Sequence, residues 1–254
     1  MKGEMFIRKN LKRIAICVCI FVFCISINLI IQKYVQDFEN KKANTNLVKI
    51  ITNDVKEDYK TQNENQKNIK SKINWNTLNS INKDIVGWIE IPDTNINYPI
   101  LKDENLYYLN HNFERKNNKN GSIFIRNQDL SKDMEIEIYG HNMKNGTMFA
   151  NLSKFMNEDF FEKNSKIYIY TKETTFEGNI FAVYTKNVNE ESESIKGLNL
   201  YEKLEYYKMQ SVNSRNIEES THKIIKLVTC SYINAKTSPT DKRYYVIAQM
   251  NRCN

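Results

Sequence analysis

Three residues at the ends of strand-like runs carry the chemistry that this chain offers: His141, Cys230 and Arg243. His141 stands in Ile138-Tyr-Gly-His-Asn-Met, where an alternating strand pattern stops at a glycine. Its imidazole therefore projects at a strand end, where it can serve as acid or base near neutral pH. Cys230 closes the apolar run Ile224-Ile-Lys-Leu-Val-Thr-Cys and precedes a polar loop, Ser231 to Lys242. A thiol in such a place has the partial exposure that a nucleophile needs, provided that a cation or base stands nearby. Arg243 opens the final strand pattern. If the strands flanking the loop are antiparallel neighbours, Arg243 returns to the rim that holds Cys230, and its planar fork can hydrogen-bond a developing oxyanion. Singly, each residue also has a plainer reading, Cys230 as a buried inert thiol and Arg243 as an ordinary surface cation. His111 and His222 lie in polar surroundings and read as surface residues without a role. No HExxH, no CxxC outside one apolar stretch, and no P-loop, GxGxxG or GxSxG occurs, so neither a metal nor a cofactor is expected.

The elements that would position these residues are short and mostly extended. Eight runs have strand character: Val86 to Ile91, Ile96 to Leu101, Gly121 to Ile125, Met134 to Tyr139, Lys166 to Tyr170, Asn179 to Tyr184, Ile224 to Thr229 and Tyr244 to Met250. Many alternate apolar with polar residues, and turn signals such as Pro92-Asp93 and Asn145-Gly146 separate them, which predicts a β-barrel or sandwich with few helices. Helical spacing interrupts the pattern at Asn74 to Lys83, at Thr147 to Met156 and at Leu198 to Met209, the last as an insertion between two late strands. A core of ordinary size can be filled, since 41% of the residues are hydrophobic and 11% aromatic, which excludes wholesale disorder.

The net charge of +7 invites a nucleic-acid partner, but the excess is local. Lys2, Arg8, Lys9, Lys12 and Arg13 stand against Glu4 directly before Ile14 to Ile31, which holds no charge. No A-x-A-like exit follows, so the stretch reads as a retained membrane anchor rather than a cleaved signal. The basic residues before it keep the N-terminus cytoplasmic and place everything after Gln32 outside. Four regions follow: a basic tail over 1–13, an anchor over 14–31, a polar stalk over 32–73 with a short helix at 47, 50, 51 and 55, and a folded domain over 74–254. Of the 5 Cys, three fall in the anchor; Cys230 and Cys253 are too few for a stapled module and fit a reactive thiol better than a disulfide.

Ile138-Tyr-Gly-His-Asn-Met-Lys-Asn-Gly-Thr-Met-Phe, Leu227-Val-Thr-Cys and Arg243-Tyr-Tyr-Val-Ile-Ala resemble, in order and spacing, the three signature segments of the sortases. The first is similar to class B, as are Trp88-Ile-Glu-Ile-Pro-Asp-Thr-Asn-Ile-Asn-Tyr-Pro-Ile, Tyr107-Tyr-Leu with Gly121-Ser-Ile-Phe, and the helical insertion; the resemblance covers Asn74 to Gln249. It implies a closed eight-stranded sortase-type barrel and a membrane-anchored cysteine transpeptidase. Cys230 would be the nucleophile, His141 the proton-transfer residue and Arg243 the stabiliser of substrate and oxyanion. The implied partners are surface proteins with a C-terminal sorting pentapeptide, cut after Thr, and a peptidoglycan precursor amine as acceptor. This chain departs from the pattern at Lys226, where the family usually has Thr, at Arg126-Asn-Gln, and in a longer spacing from Cys230 to Arg243. Three other readings stay open: a pilus-building sortase, a cell-wall cysteine hydrolase, which commonly carries Cys before His, and a non-enzymatic membrane-anchored binding module.

Overall fold

The computed structural model describes residues 2–60, 73–217, 223–232 and 240–253. It divides into two units, Met1–Asn44 and Thr45–Asn254. Helix α1 (Lys2–Lys60) begins in the first and ends in the second. In the first unit, the uncharged stretch 14–31 exposes its apolar side chains around the whole helix, Phe21 and Phe23 among them, as a segment solvated by lipid would. This helix is long and apolar enough to cross a membrane. The spacing at 47, 50, 51 and 55 is thus one part of a much longer helix rather than a short one. Leu47 and Ile51 are buried in the second unit.

The second unit is built on α2 (Trp75–Ile81), β1 (Ile85–Glu90), β2 (Asn97–Asp103), β3 (Ile123–Arg126), β4 (Glu135–Tyr139), α3 (Glu158–Lys163), β5 (Lys166–Tyr170), β6 (Thr175–Asn187), α4 (Val188–Ile195), α5 (Leu200–Gln210), β7 (Asn213–Ser214), β8 (Lys223–Cys230) and β9 (Lys242–Arg252). The order β5-β1-β2-β3-β4-β8-β9-β6 closes on itself through a β5–β6 pairing, and β7 adds two residues beside β6. The result is a closed barrel of eight staves, which are the eight predicted runs. Closure leaves these eight strands no free edge.

Alternation along the staves sorts the apolar residues into three groups. Ile136, Ile138, Ile225, Leu227, Val246 and Ala248 point into the lumen with Ile89, Ile100, Ile125, Ile169 and Phe149. Each fully buried aliphatic or aromatic side chain there contributes roughly 1.5–3 kcal/mol by leaving water. Outside, Trp88, Leu101 and Phe124 pack with Leu78 of α2, Tyr108, Leu47 and Ile51. On another outer face, Phe181, Tyr184, Val228, Tyr245 and Ile247 pack under Leu204 and Tyr207 of α5.

The helical interruptions differ in detail from the sequence pattern. Thr147 to Met156 forms only a tight 3-10 segment over Ala150–Met156, after which Asn157 caps α3 by accepting from Phe160 N–H at 3.0 Å. The insertion holds two helices where apolar spacing marked one. α5 starts in a capping box between Asn199 and Glu202, whereas α4, Val-Asn-Glu-Glu-Ser-Glu-Ser-Ile, has only two apolar residues, of which Ile195 packs on the outer apolar group, and buries a glutamate, Glu191.

Candidate active site

Four adjacent staves, β4, β8, β9 and β6, carry the candidate residues in register. Tyr139 pairs with Val228, Val228 with Tyr245, and Tyr245 with Tyr184, which makes one row across the outer face. Two residues further along, Cys230 pairs with Arg243 and Arg243 with Lys186. β4 has ended by then, but it runs parallel to β8, and continuing the 139–228 register brings His141 level with Cys230. Period-two alternation puts this whole row on the same outer face as the row below it. Three residues from separate parts of the chain thus become neighbours. They stand above a seam, since Tyr139 packs with both outer apolar groups.

Where the β4–β8 ladder stops, other bonds continue it. Gly140 N–H donates to Val228 O at 3.2 Å, the Thr229 hydroxyl to Gly140 O at 2.7 Å, and Asn142 Nδ2 to Cys230 O at 2.8 Å. A Cβ at position 140 would crowd Ile123 Cδ1 and the Phe149 ring, so a larger residue there requires both to shift. His141 is half-buried, and its Nε2 lies 2.8 Å from Leu109 O, at the end of the turn Tyr107–Leu109. A carbonyl only accepts, so Nε2 carries the hydrogen and Nδ1 is the basic nitrogen of the neutral ring.

Cys230 is partly exposed, and its thiol is free. Cys253 is free as well, beyond the far end of β9 and tied by its N–H to Thr175 O at 2.9 Å. Ten residues of extended chain separate it from Arg243, about 33 Å. A disulfide, which needs Cα atoms within about 7 Å, is out of reach of Cys230. Arg243 Nη1 donates to Thr240 O at 2.6 Å and to Lys242 O at 3.0 Å, which fixes one side of the fork. The amide after Cys230, Ser231 N–H, is committed to Lys242 O at 2.9 Å. The guanidinium thus belongs to the register partner of Cys230, with one arm held by the loop.

His111 stacks on Tyr107 with ring centroids 3.8 Å apart, and its Nδ1 lies 2.7 Å from Tyr107 O, so it stabilises the turn that holds Leu109 O. His222 lies outside the described residues, as does 233–239 of the loop after Cys230. Among the described residues no cluster of His, Cys, Asp or Glu could hold a metal ion. A cavity of about 300 Å3, lined by Trp75, Val86, Gln128, Leu130 and Lys172, opens at the end of the barrel opposite Cys230.

Two features of the site were given no role by the sequence. Asn142 and Leu109 O hold Cys230 and His141, and although Asn142 stands in the motif, a backbone carbonyl leaves no trace in a sequence. The second is Lys226, which is 1% exposed and is the register partner of Glu137, with Nζ at 2.6 Å from that carboxylate and 3.5 Å from Glu191 of α4. Burial alone would push the Glu137 carboxyl up; the Lys226 ammonium and its hydrogen bond, with help from the Tyr139 hydroxyl, hold it below the usual range. The signal was a lysine inside an otherwise apolar strand run, paired with alternate glutamates in β4.

A barrel of this topology, with Cys230 and Arg243 paired at its rim and His141 level with them, is of the sortase type. The sortase domain profile matches residues 89–251, and the chain belongs to the sortase family, a family of cysteine transpeptidases. It is 40% identical over 160 residues to sortase B of Listeria monocytogenes, covering 60% of this chain and 65% of that protein, just under two thirds of its length. It is 32% identical over 181 residues to sortase B of Staphylococcus aureus, covering 68% of this chain and 73% of the relative. Among solved structures, Clostridium perfringens sortase B aligns with a TM-score of 0.61 at 33% identity, over 69% of this chain and 98% of that one. A Staphylococcus aureus sortase B–substrate complex aligns with a TM-score of 0.71 at 25% identity, over 87% and 100%.

Proposed function

We propose that the chain is a membrane-anchored transpeptidase that cleaves a C-terminal sorting signal after Thr and passes the surface protein to a cell-envelope amine. Register adjacency of His141, Cys230 and Arg243 is the observation that carries this reading. The Cys230 thiolate attacks the Thr carbonyl, and the C–O π pair moves onto oxygen, where the Arg243 guanidinium stabilises the charge. Collapse re-forms the carbonyl and breaks the C–N bond while His141, protonated, gives its proton to the leaving amine. The thioester is then attacked by the acceptor amine. His141 takes that amine's proton, and Cys230 leaves as thiolate. A peptidoglycan precursor is the acceptor, the α1 apolar stretch is the anchor, and the basic residues before it keep the N-terminus cytoplasmic. No cofactor enters this cycle.

The test uses the full chain in detergent with a quenched library of sorting-signal peptides, with and without an amine acceptor. Cleavage that becomes peptide transfer when the amine is added is expected. Hydrolysis indifferent to the amine supports the hydrolase alternative, and no cleavage supports the binding module. A Streptococcus pyogenes class B sortase involved in pilus biogenesis also aligns with this fold, at a TM-score of 0.60 and 28% identity over 73% of this chain and all of that one. A protein lysine outcompeting a peptidoglycan-type amine would therefore move the acceptor to a pilus subunit.

A further inference from the structure

Beneath the catalytic row lies a layer of tyrosines, and beneath that a buried charge cluster. Tyr139, Tyr184 and Tyr245 lie one row below His141, Arg243 and Lys186 in the register described above. Tyr184 and Tyr245 stack with centroids 5.1 Å apart. The hydroxyls of Tyr139 and Tyr184 donate to carboxylates, Tyr139 to Glu137 and Tyr184 to Glu191 at 2.6 Å. Lys226 lies between those two carboxylates and 5.4 Å from the Tyr245 ring centre. Glu191 also accepts from Tyr206 at 2.9 Å, and Tyr206 in turn accepts from Lys186 at 2.6 Å, beside Arg243. One bonded chain therefore runs from Tyr139, two residues before His141, to Lys186, the cross-strand partner of Arg243.

Resting on the transpeptidase reading, we infer that Lys226 is a positioning residue, which holds the tyrosine floor under His141, Cys230 and Arg243 by bridging Glu137 of the barrel wall to Glu191 of the helical insertion. The physical reason lies in charge balance. Lys226 and Glu191 are 1% and 3% exposed at the side chain and Glu137 31%, so removing the cation leaves two carboxylates facing each other, one of them cut off from water. The carboxylates must then separate or take up protons. Either response moves the tyrosine hydroxyls that they hold, and with them the surface on which the reacting residues lie. A Thr at 226, the usual family residue, cannot span two carboxylates or reach α4, so this chain uses a lysine to seat an insertion helix with little apolar surface of its own.

Lys226→Met in the full chain, in detergent, should lower kcat about 10-fold or more with KM changed less than about threefold, while far-UV circular dichroism and a cooperative melt report a folded domain. A merely stabilising residue would lower neither kcat nor its coupling to Arg243 once the chain is folded. The deciding measurement is therefore the double-mutant cycle with Arg243→Lys: if Lys226 acts by placing Arg243, the second substitution costs far less in the Arg243→Lys background than in wild type. Additive losses, or a kcat within about threefold of wild type, would overturn the inference. Should Lys226→Met fail to fold, Glu191→Gln removes the insertion's arm of the cluster, and the same pattern is expected. If wild type itself cleaves no sorting peptide, the transpeptidase reading fails separately. Alkylation of Cys230 by iodoacetamide, read by mass spectrometry, still tests the floor: a rate altered at least about threefold by Lys226→Met supports it, and an unchanged rate refutes it.

Discussion

Cys230 and Arg243 are direct register partners across the antiparallel β8–β9 pair, although the loop between them is long for class B. Hairpin pairing returns Arg243 to Cys230 whatever the length of the loop. Ser231 N–H is held by Lys242 O, which leaves the guanidinium of Arg243, the register partner of Cys230, as the donor proposed to face an oxyanion there. Arg243→Lys should therefore lose about 100- to 1,000-fold in kcat, the scale for one oxyanion donor, although the charge is kept, because an ammonium lacks the planar fork. Steady-state cleavage of the sorting peptide measures it; near-normal rates would reduce Arg243 to a remote charge.

Cys230→Ala should abolish cleavage and thioester capture while the melting temperature stays within a few degrees, since Ala is smaller but still apolar. Cys253→Ala should leave activity unchanged in oxidising and reducing buffers alike, because the two thiols lie at opposite ends of β9. Mass spectrometry of the enzyme trapped with peptide reads the first. Wild-type turnover by Cys230→Ala would end the cysteine mechanism.

Asn142 ties the segment after His141 to the carbonyl of Cys230. Asn142→Asp sets a carboxylate oxygen against that carbonyl and should cost more in kcat than Asn142→Ala, with roughly 10-fold expected for Ala and KM little changed. Equal kcat in all three proteins would show that the bond holds nothing that the reaction needs.

Glu137 is depressed below its ordinary value of 4.5 in the folded chain. A lowered folded value means that the folded state binds fewer protons, so its stabilisation is complete above about pH 4.5 and drains away as the pH falls through the lower folded value. Glu137→Gln should be less stable than wild type by about 1–3 kcal/mol at pH 7, with the gap closing below pH 4.5. Urea melts at a series of pH values decide this, and a gap constant down to pH 3 would contradict the sign.

The orientation of the anchor is tested on whole cells without an outer membrane. An external protease should release the folded domain by cutting between Lys33 and Lys72, and the N-terminal basic tail should stay protected until lysis. A domain that resists digestion until the cells are broken would place catalysis in the cytoplasm and defeat the envelope function.

Much of this protein could be read from its residues in order. The staves show because β4 and the start of β6 alternate while β8 and β9 are near-continuous apolar runs of strand length, the long apolar helix shows because 14–31 holds no charge, and α5 shows because it carries apolar residues at helical spacing. His141, Cys230 and Arg243 stood out because each ends or begins a strand run. What was illegible depends on register and on backbone groups. That His141 falls level with Cys230 follows from a parallel β4–β8 pairing between strands some 90 residues apart, and no local pattern encodes which strands pair. The hydrogen on Nε2 is placed by a carbonyl at Leu109, and every residue has a carbonyl. α4 was missed for the same kind of reason: besides Ile195, its seat is one buried glutamate, whose partners Tyr184, Tyr206 and Lys226 come from β6, α5 and β8. A lysine in the middle of an apolar strand announced only that something unusual lay beside it. The parallel β4–β8 pairing and the seating of α4 decided that the something was a pair of carboxylates, Glu137 and Glu191, held close enough to offset the cost of leaving water.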